Sequence, residues 1–149
     1  MKVLIIEDEN AAARRLHKMV QEIIPEAVFE DQLDSVEAVL NWLQGNKWPD
    51  LIFMDIHLAD GSSFEIFNHV QIEKPIIFTT AYDQYAIQAF KLNSIDYLLK
   101  PIREVELKNA ILKFKDKHQK TLISTQQIEA LMSLVNTSKK TIRSSFLVQ

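Results

Sequence analysis

Leu51-Ile52-Phe53-Met54-Asp55 is an apolar run that stops at an acid. Three other runs stop in a comparable way. Upstream, Val3-Leu4-Ile5-Ile6 ends at Glu7-Asp8. Downstream, Ile76-Ile77-Phe78 ends at Thr79-Thr80, and Ile95-Asp96-Tyr97-Leu98-Leu99 ends at Lys100-Pro101. Short apolar runs separated by helical patterns are the mark of parallel strands buried on both faces. In such sheets the carboxyl ends of the strands open on one edge, and ligands bind there. That edge would gather three carboxylates, a hydroxyl and an ammonium. The set suits a divalent cation and a phosphoryl group, with an aspartate as the candidate acceptor.

The segments between the runs read as helices. Leu16, Met19, Val20, Ile23 and Ile24 have helical spacing, and Pro25 ends the pattern. A weaker strand is expected near 27–32. Val36, Val39, Leu40 and Leu43 make a second helical stripe, with Asp34 and Glu37 as a possible capping box and Gly45 suited to its end. A loop with Asp60-Gly61 leads to a third helix at about 63–70, with Ser62 and Glu65 as another possible box. Pro75 opens the fourth strand, at about 75–79. Asp83 can cap a short helix over 84–91, and the fifth strand is expected at 95–99. Leu107, Ala110, Ile111 and Phe114 mark a fifth helix. Five strands alternating with five helices predict an α/β, doubly wound, five-stranded parallel sheet with right-handed crossovers. The expected order is 2-1-3-4-5, the flavodoxin-like order.

Beyond about 117 the pattern weakens. Ile128, Leu131, Met132 and Val135 give one more helical stripe, and Asn136 to Ser145 is polar and basic. Phe146-Leu147-Val148 reads as a strand that has just begun. The chain is therefore expected to be the front part of a longer protein.

At 149 residues the length predicts one domain with an extension, and the formal net charge of -3 gives no global attraction to nucleic acid or anionic membranes. With no cysteine, disulfides, thiolate metal sites and cysteine nucleophiles are excluded. No apolar run exceeds four residues, too short for a membrane span or a secretory signal. The expected location is the cytoplasm.

Mg²⁺ prefers hard oxygen ligands, which Glu7, Asp8 and Asp55 can supply directly or through water. Three neighbouring carboxylates repel one another unless a divalent cation or the Lys100 ammonium offsets them. Phosphoryl transfer needs that neutralisation and an in-line nucleophile, and Asp55 could form an acyl phosphate. A Thr80 hydroxyl could then bond a phosphoryl oxygen. Taken singly, each residue has an ordinary reading: a turn Asp, strand threonines, a Lys-Pro loop. Four strand ends with complementary chemistry make the joint reading the stronger one.

These residues resemble the receiver domain of two-component response regulators, a group in which a chemotaxis receiver has the same sheet order. The resemblance covers residues 2–118. It implies that Asp55 is the phosphoacceptor, that Asp8 ligates Mg²⁺ directly, and that Glu7 acts mostly through water. The His57 backbone carbonyl would be a further ligand. Thr80, directly before Ala81, would be the switch hydroxyl, Tyr97 the switch aromatic, and Lys100 the site lysine, with a cis bond to Pro101. Glu7 stands where Asp is more usual, Ala59 where proline is frequent, and Gly61 earlier than usual with Ser63 near its expected place.

Thr80-Ala81-Tyr82-Asp83-Gln84-Tyr85-Ala86 and Ser94-Ile95-Asp96-Tyr97-Leu98-Leu99-Lys100-Pro101 look like the subgroup with a LytTR-type DNA-binding output. The implied organisation is a receiver at 2–118, a helical and basic linker at 119–145, and the start of a truncated LytTR-type domain at 146–149. A sensor histidine kinase would donate the phosphoryl group. The parent protein would form a homodimer on phosphorylation and bind DNA to regulate transcription. The chain would not be an enzyme beyond slow self-phosphorylation and dephosphorylation.

The alternative is an interaction module with a receiver fold that works without phosphorylation. A flavin-binding protein of this topology is disfavoured, because Glu7-Asp8-Glu9-Asn10 would repel a flavin phosphate. A metal-dependent phosphatase is disfavoured because the candidate nucleophile is on the third strand and no substrate cap is visible. His57 and Tyr82 are expected to flank the site. His17, His69 and His118 are read as surface residues, and Trp42 and Trp48 as packing. Tyr85, Phe90 and Leu92 are read as core or dimer face.

Overall fold

The computed structural model describes residues 1–82 and 95–117. The expected helix over 84–91, the linker at 119–145, the final strand, His118 and residues Tyr85, Phe90 and Leu92 lie outside them.

Five strands form one parallel sheet: β1 (Lys2–Ile6), β2 (Val28–Phe29), β3 (Leu51–Asp55), β6 (Ile76–Thr80) and β7 (Asp96–Leu99). Their order is β2-β1-β3-β6-β7, the expected 2-1-3-4-5. A small antiparallel pair, β4 (His57–Leu58) and β5 (Gly61–Ser62), follows β3.

Every residue of β3 and β6 is buried, because helices cover both faces. Successive strand residues point to opposite faces. Val3, Ile5, Leu51, Phe53 and Ile77 enter one apolar layer with Leu16 and Val20 of α1 (Asn10–Ile23). The same layer takes Leu107, Ala110, Ile111 and Phe114 of α3, the helix over 104–117, as their spacing predicts. Leu4, Ile6, Ile52, Met54 and Phe78 enter the other layer with Val36, Val39 and Trp42 of α2 (Val36–Gly45). Each large apolar side chain buried this way contributes about 1.5–3 kcal/mol. Trp42 is buried in that layer and Trp48 packs against it, as expected.

Three local expectations are corrected. The second strand is shorter than 27–32, and Leu33 adds only an isolated bridge to Ile6. The third helix is a 3-10 helix, Ser63–Asn68, with the Ser62 hydroxyl accepting from Phe64 N. The cap of α2 is Ser35, not Asp34: its hydroxyl accepts from Ala38 N at 3.0 Å. The first two amides of α2 are taken by a residue far along the chain. Asp60 Oδ1 accepts from Val36 N at 2.7 Å and Oδ2 from Glu37 N at 3.1 Å. The Asp34 carbonyl instead accepts from Ala59 N.

Candidate functional site

The site begins where the strands run out of apolar residues. Glu7 follows β1 and stays buried because its amide donates to the Leu33 carbonyl at 2.8 Å, which extends the sheet pairing past Ile6. Asp55 closes β3 and is also buried. Lys100 follows β7, held by its amide donating to the Thr80 carbonyl at 2.7 Å, and the Lys100-Pro101 bond is cis. Its ammonium donates to Glu7 Oε1 at 2.5 Å and to Asp55 Oδ2 at 2.9 Å. Asp55 Oδ1 accepts from His57 N at 3.3 Å, and Glu7 Oε2 from Glu9 N at 3.2 Å. Asp8 is exposed beside them, and one oxygen from each of Glu7, Asp8 and Asp55 can be chosen so that all lie within 4.8 Å of one another.

The electrostatics follow from that crowding. Burial is the largest influence on Glu7 and raises its pKa to about 7; the Lys100 bond works against this, while Asp55 adds to it. Burial opposes the charge on Lys100, but the bonds and charges of Glu7 and Asp55 outweigh it and hold its pKa above the usual value. Hard carboxylate oxygens with one exposed member suit a cation that keeps several waters, as Mg²⁺ does.

The raised Glu7 pKa has a consequence for stability. Between about pH 4.5 and about pH 7, burial favours a proton on Glu7 in the metal-free fold that the unfolded chain has already lost. Its contribution is therefore complete below about pH 4.5 and disappears as pH rises through about 7. The metal-free melting temperature should fall from pH 5 to pH 8, by an amount worth a few kcal/mol at most. Glu7→Gln should flatten that slope, as should Mg²⁺, which favours the charged carboxylate. A wild-type slope equal to that of Glu7→Gln would refute the assignment.

A second group stands at the ends of β6 and β7. Thr80 Oγ1 accepts from Tyr82 N at 3.2 Å, and the Tyr97 hydroxyl donates to the Tyr82 carbonyl. Thr80 and Tyr97 are thus joined through the backbone of Tyr82. The His57 and Tyr82 rings meet edge to face at 5.2 Å, and both side chains are exposed at the rim. His17 and His69 are surface residues, as expected.

Glu7, Asp8, Asp55 and Lys100 therefore come together, with Thr80 and Tyr97 linked nearby. Two features escaped the sequence reading. Glu7 takes the ammonium directly, which its position after β1 alone does not reveal. Asp60 reaches an amide 24 residues away, and Asp-Gly reads locally only as a turn. Its two amide bonds hold its carboxyl below the usual range.

Residues 3–112 match the response regulator receiver domain. The chain is 39% identical over 132 residues to the sensory transduction protein LytT of Bacillus anthracis, covering 87% of this chain and 53% of that protein. It is 39% identical over 120 residues to the transcriptional regulatory protein LytR of Staphylococcus aureus, covering 77% of this chain and 47% of that protein. The chain spans about half the length of these curated relatives. The response regulatory domain of protein mrkE from Klebsiella pneumoniae superposes with a TM-score of 0.71 at 32% identity, over 80% of this chain and 99% of that one. The response regulator TrrA of Thermotoga maritima, solved in complex with Mg²⁺-BeF, shares the fold, with a TM-score of 0.63 at 23% identity over 76% of this chain and 97% of that one. No helix among the described residues is long and apolar enough to cross a membrane.

Proposed function

The chain belongs to the response regulator receiver domain family, and from that premise we propose that it is a phosphorylation-driven switch with Asp55 as phosphoacceptor. The observation that carries this reading is the Lys100 ammonium bridging Glu7 and Asp55 at the carboxyl edge of the sheet. A receiver is a signalling module rather than an enzyme with turnover.

An Asp55 carboxylate oxygen attacks the phosphorus of a phosphohistidine on a sensor kinase. The P–N bond breaks, the imidazole nitrogen leaves with the bonding pair and takes a proton, and an acyl phosphate forms. Glu7, Asp8, Asp55 and the His57 carbonyl are the residues to hold Mg²⁺. When bound, Mg²⁺ neutralises charge on the phosphoryl oxygens. Lys100 leaves its shared position and pairs with one of those oxygens. Thr80 has an amide on its oxygen and keeps its hydroxyl proton for another. Any movement of Thr80 is felt at Tyr82 and so at Tyr97. The phosphoryl group shifts the conformation only by the extent to which it binds one state better.

The similarity to the transcriptional regulatory protein LytR supports a transcription-regulating output for the parent protein, and to this the proposal adds DNA binding, homodimer formation on phosphorylation and action in the cytoplasm. The test is intact mass after incubation with acetyl phosphate and Mg²⁺. One added phosphoryl group is expected, absent in Asp55→Ala and without metal. No gain with acetyl phosphate or with a cognate kinase would leave the phosphorylation-independent interaction module.

A further inference from the structure

The His57 carbonyl differs from the other candidate ligands because it has no rotamer of its own. Its position is that of the backbone, and so of the β4–β5 hairpin. That hairpin has only two residue pairs, His57 with Ser62 and Leu58 with Gly61. Two short strands alone are marginal in water. The Ala59-Asp60 turn is followed by Gly61, the first residue of β5, at φ +139°, a region that other residues rarely adopt. Something outside the hairpin must hold it.

Three hydrogen bonds do so at its tip. Asp60 accepts from Val36 N and Glu37 N through its two oxygens, and Ala59 N donates to the Asp34 carbonyl at 3.2 Å. The same stretch of backbone holds the other acidic loop. The Leu33 carbonyl accepts from Glu7 N, and Leu33 N donates to the Ile5 carbonyl. Gln32 Nε2 reaches the Glu7 carbonyl at 3.3 Å and Asn10 Oδ1 at 3.1 Å. Residues 32–37 are thus a splint between the loop carrying Glu7 and Asp8 and the loop carrying Asp55 and His57. Ser35 takes only the Ala38 amide of α2, so Asp60 both completes the cap at Val36 and Glu37 and ties the hairpin to it.

We propose that Asp60 is a positioning residue for the cation site: its carboxylate clasps the 57–62 hairpin to the start of α2 and so fixes the His57 carbonyl relative to Glu7 and Asp8. This rests on the reading of those residues as Mg²⁺ ligands. Removing a supporting residue of a metal site typically weakens binding 10- to 100-fold, and an exposed clasp belongs at the lower end.

The test compares Asp60→Ala with Ser35→Ala. Both remove a cap from the same end of α2, but only the first loosens the hairpin, which then keeps the Ala59–Asp34 backbone bond alone at its tip. Mg²⁺ alone is titrated calorimetrically into each metal-free protein, and melting temperatures are measured beside it. Both variants should melt lower than wild type by similar amounts. Asp60→Ala should bind Mg²⁺ about tenfold more weakly, and Ser35→Ala like wild type. Asp60→Asn keeps one acceptor oxygen and should fall between; it carries the test if Asp60→Ala does not fold. Equal Mg²⁺ affinity in the Asp60 and Ser35 variants would overturn the proposal. Absence of Mg²⁺ binding by the wild type would overturn the site reading itself, a separate result.

Discussion

Lys100→Met should lose about 100-fold in its rate of phosphoryl uptake from acetyl phosphate while still binding Mg²⁺. The ammonium lies 2.5 Å from Glu7 and 2.9 Å from Asp55, so it is placed where negative charge grows during transfer. Removing one preorganised charge or donor of this kind costs about 10²–10³ in rate. Metal binding should follow the opposite logic, because the variant leaves the carboxylates without a competing cation. The stability cost should be smaller than for a fully buried pair, where losing one partner costs about 3–5 kcal/mol. The Lys100 side chain is 25% exposed, and Glu7 can take up a proton in its place. About 1–2 kcal/mol is expected near pH 8 and less at pH 6, where Glu7 is protonated more readily. Intact-mass time courses and denaturant midpoints measure the two effects. Uptake within a few-fold of wild type would show that Lys100 serves packing and charge balance only.

Phe78→Ala should cost about 3–5 kcal/mol, the range for deleting a buried aromatic ring. Phe78 is fully buried in the centre of β6. Its ring lies 5.4 Å from that of Phe64 and 6.2 Å from that of Phe67, both on the 3-10 helix after the acceptor hairpin. It is also the register partner of Met54 and Tyr97. Typical domains have about 5–15 kcal/mol in all, so the variant should be close to unfolding at 37 °C. Urea titration gives the cost, with Val105→Ala as the control: Val105 is 70% exposed and should change stability by less than about 0.5 kcal/mol. A loss below about 1 kcal/mol for Phe78→Ala would mean that the two phenylalanines of the 3-10 helix close the cavity.

The sheet was legible because its central strands are continuous apolar runs bounded by polar residues. A run buried on both faces has no alternation to confuse, and its end marks the sheet edge. Asp55, Glu7 and Lys100 were legible for the same reason. The third helix was placed but its type was not, since six residues carry too little periodicity to separate a 3-10 from an α turn. The cap at Asp34 was one residue early, because Asp34 and Ser35 are adjacent capping residue types, and Asp60 was missed because capping rules consider only local sequence. The amides at the start of α2 are bound by Ser35 from within and by Asp60 from another loop. The Thr80–Tyr82–Tyr97 linkage depends on backbone atoms of Tyr82, which every residue except proline supplies in full, so side-chain identity could not reveal it.

The two-sided burial of β1, β3 and β6 bears also on how the chain finds its register. A strand with one apolar face is held in step by that face, because a one-residue slip turns its apolar side chains toward water. β3 lacks this protection: shifting Leu51-Ile52-Phe53-Met54 by one place exchanges apolar for apolar in both layers. What a slip cannot hide is the end of the run. It would carry the Asp55 carboxylate inward, away from Lys100, or draw polar residues from the preceding turn into the sheet. Burying an unpaired carboxylate is far more costly than a misplaced methyl group. The acids and the lysine thus act as stops during folding, and the residues that would handle phosphate also determine how the strands align.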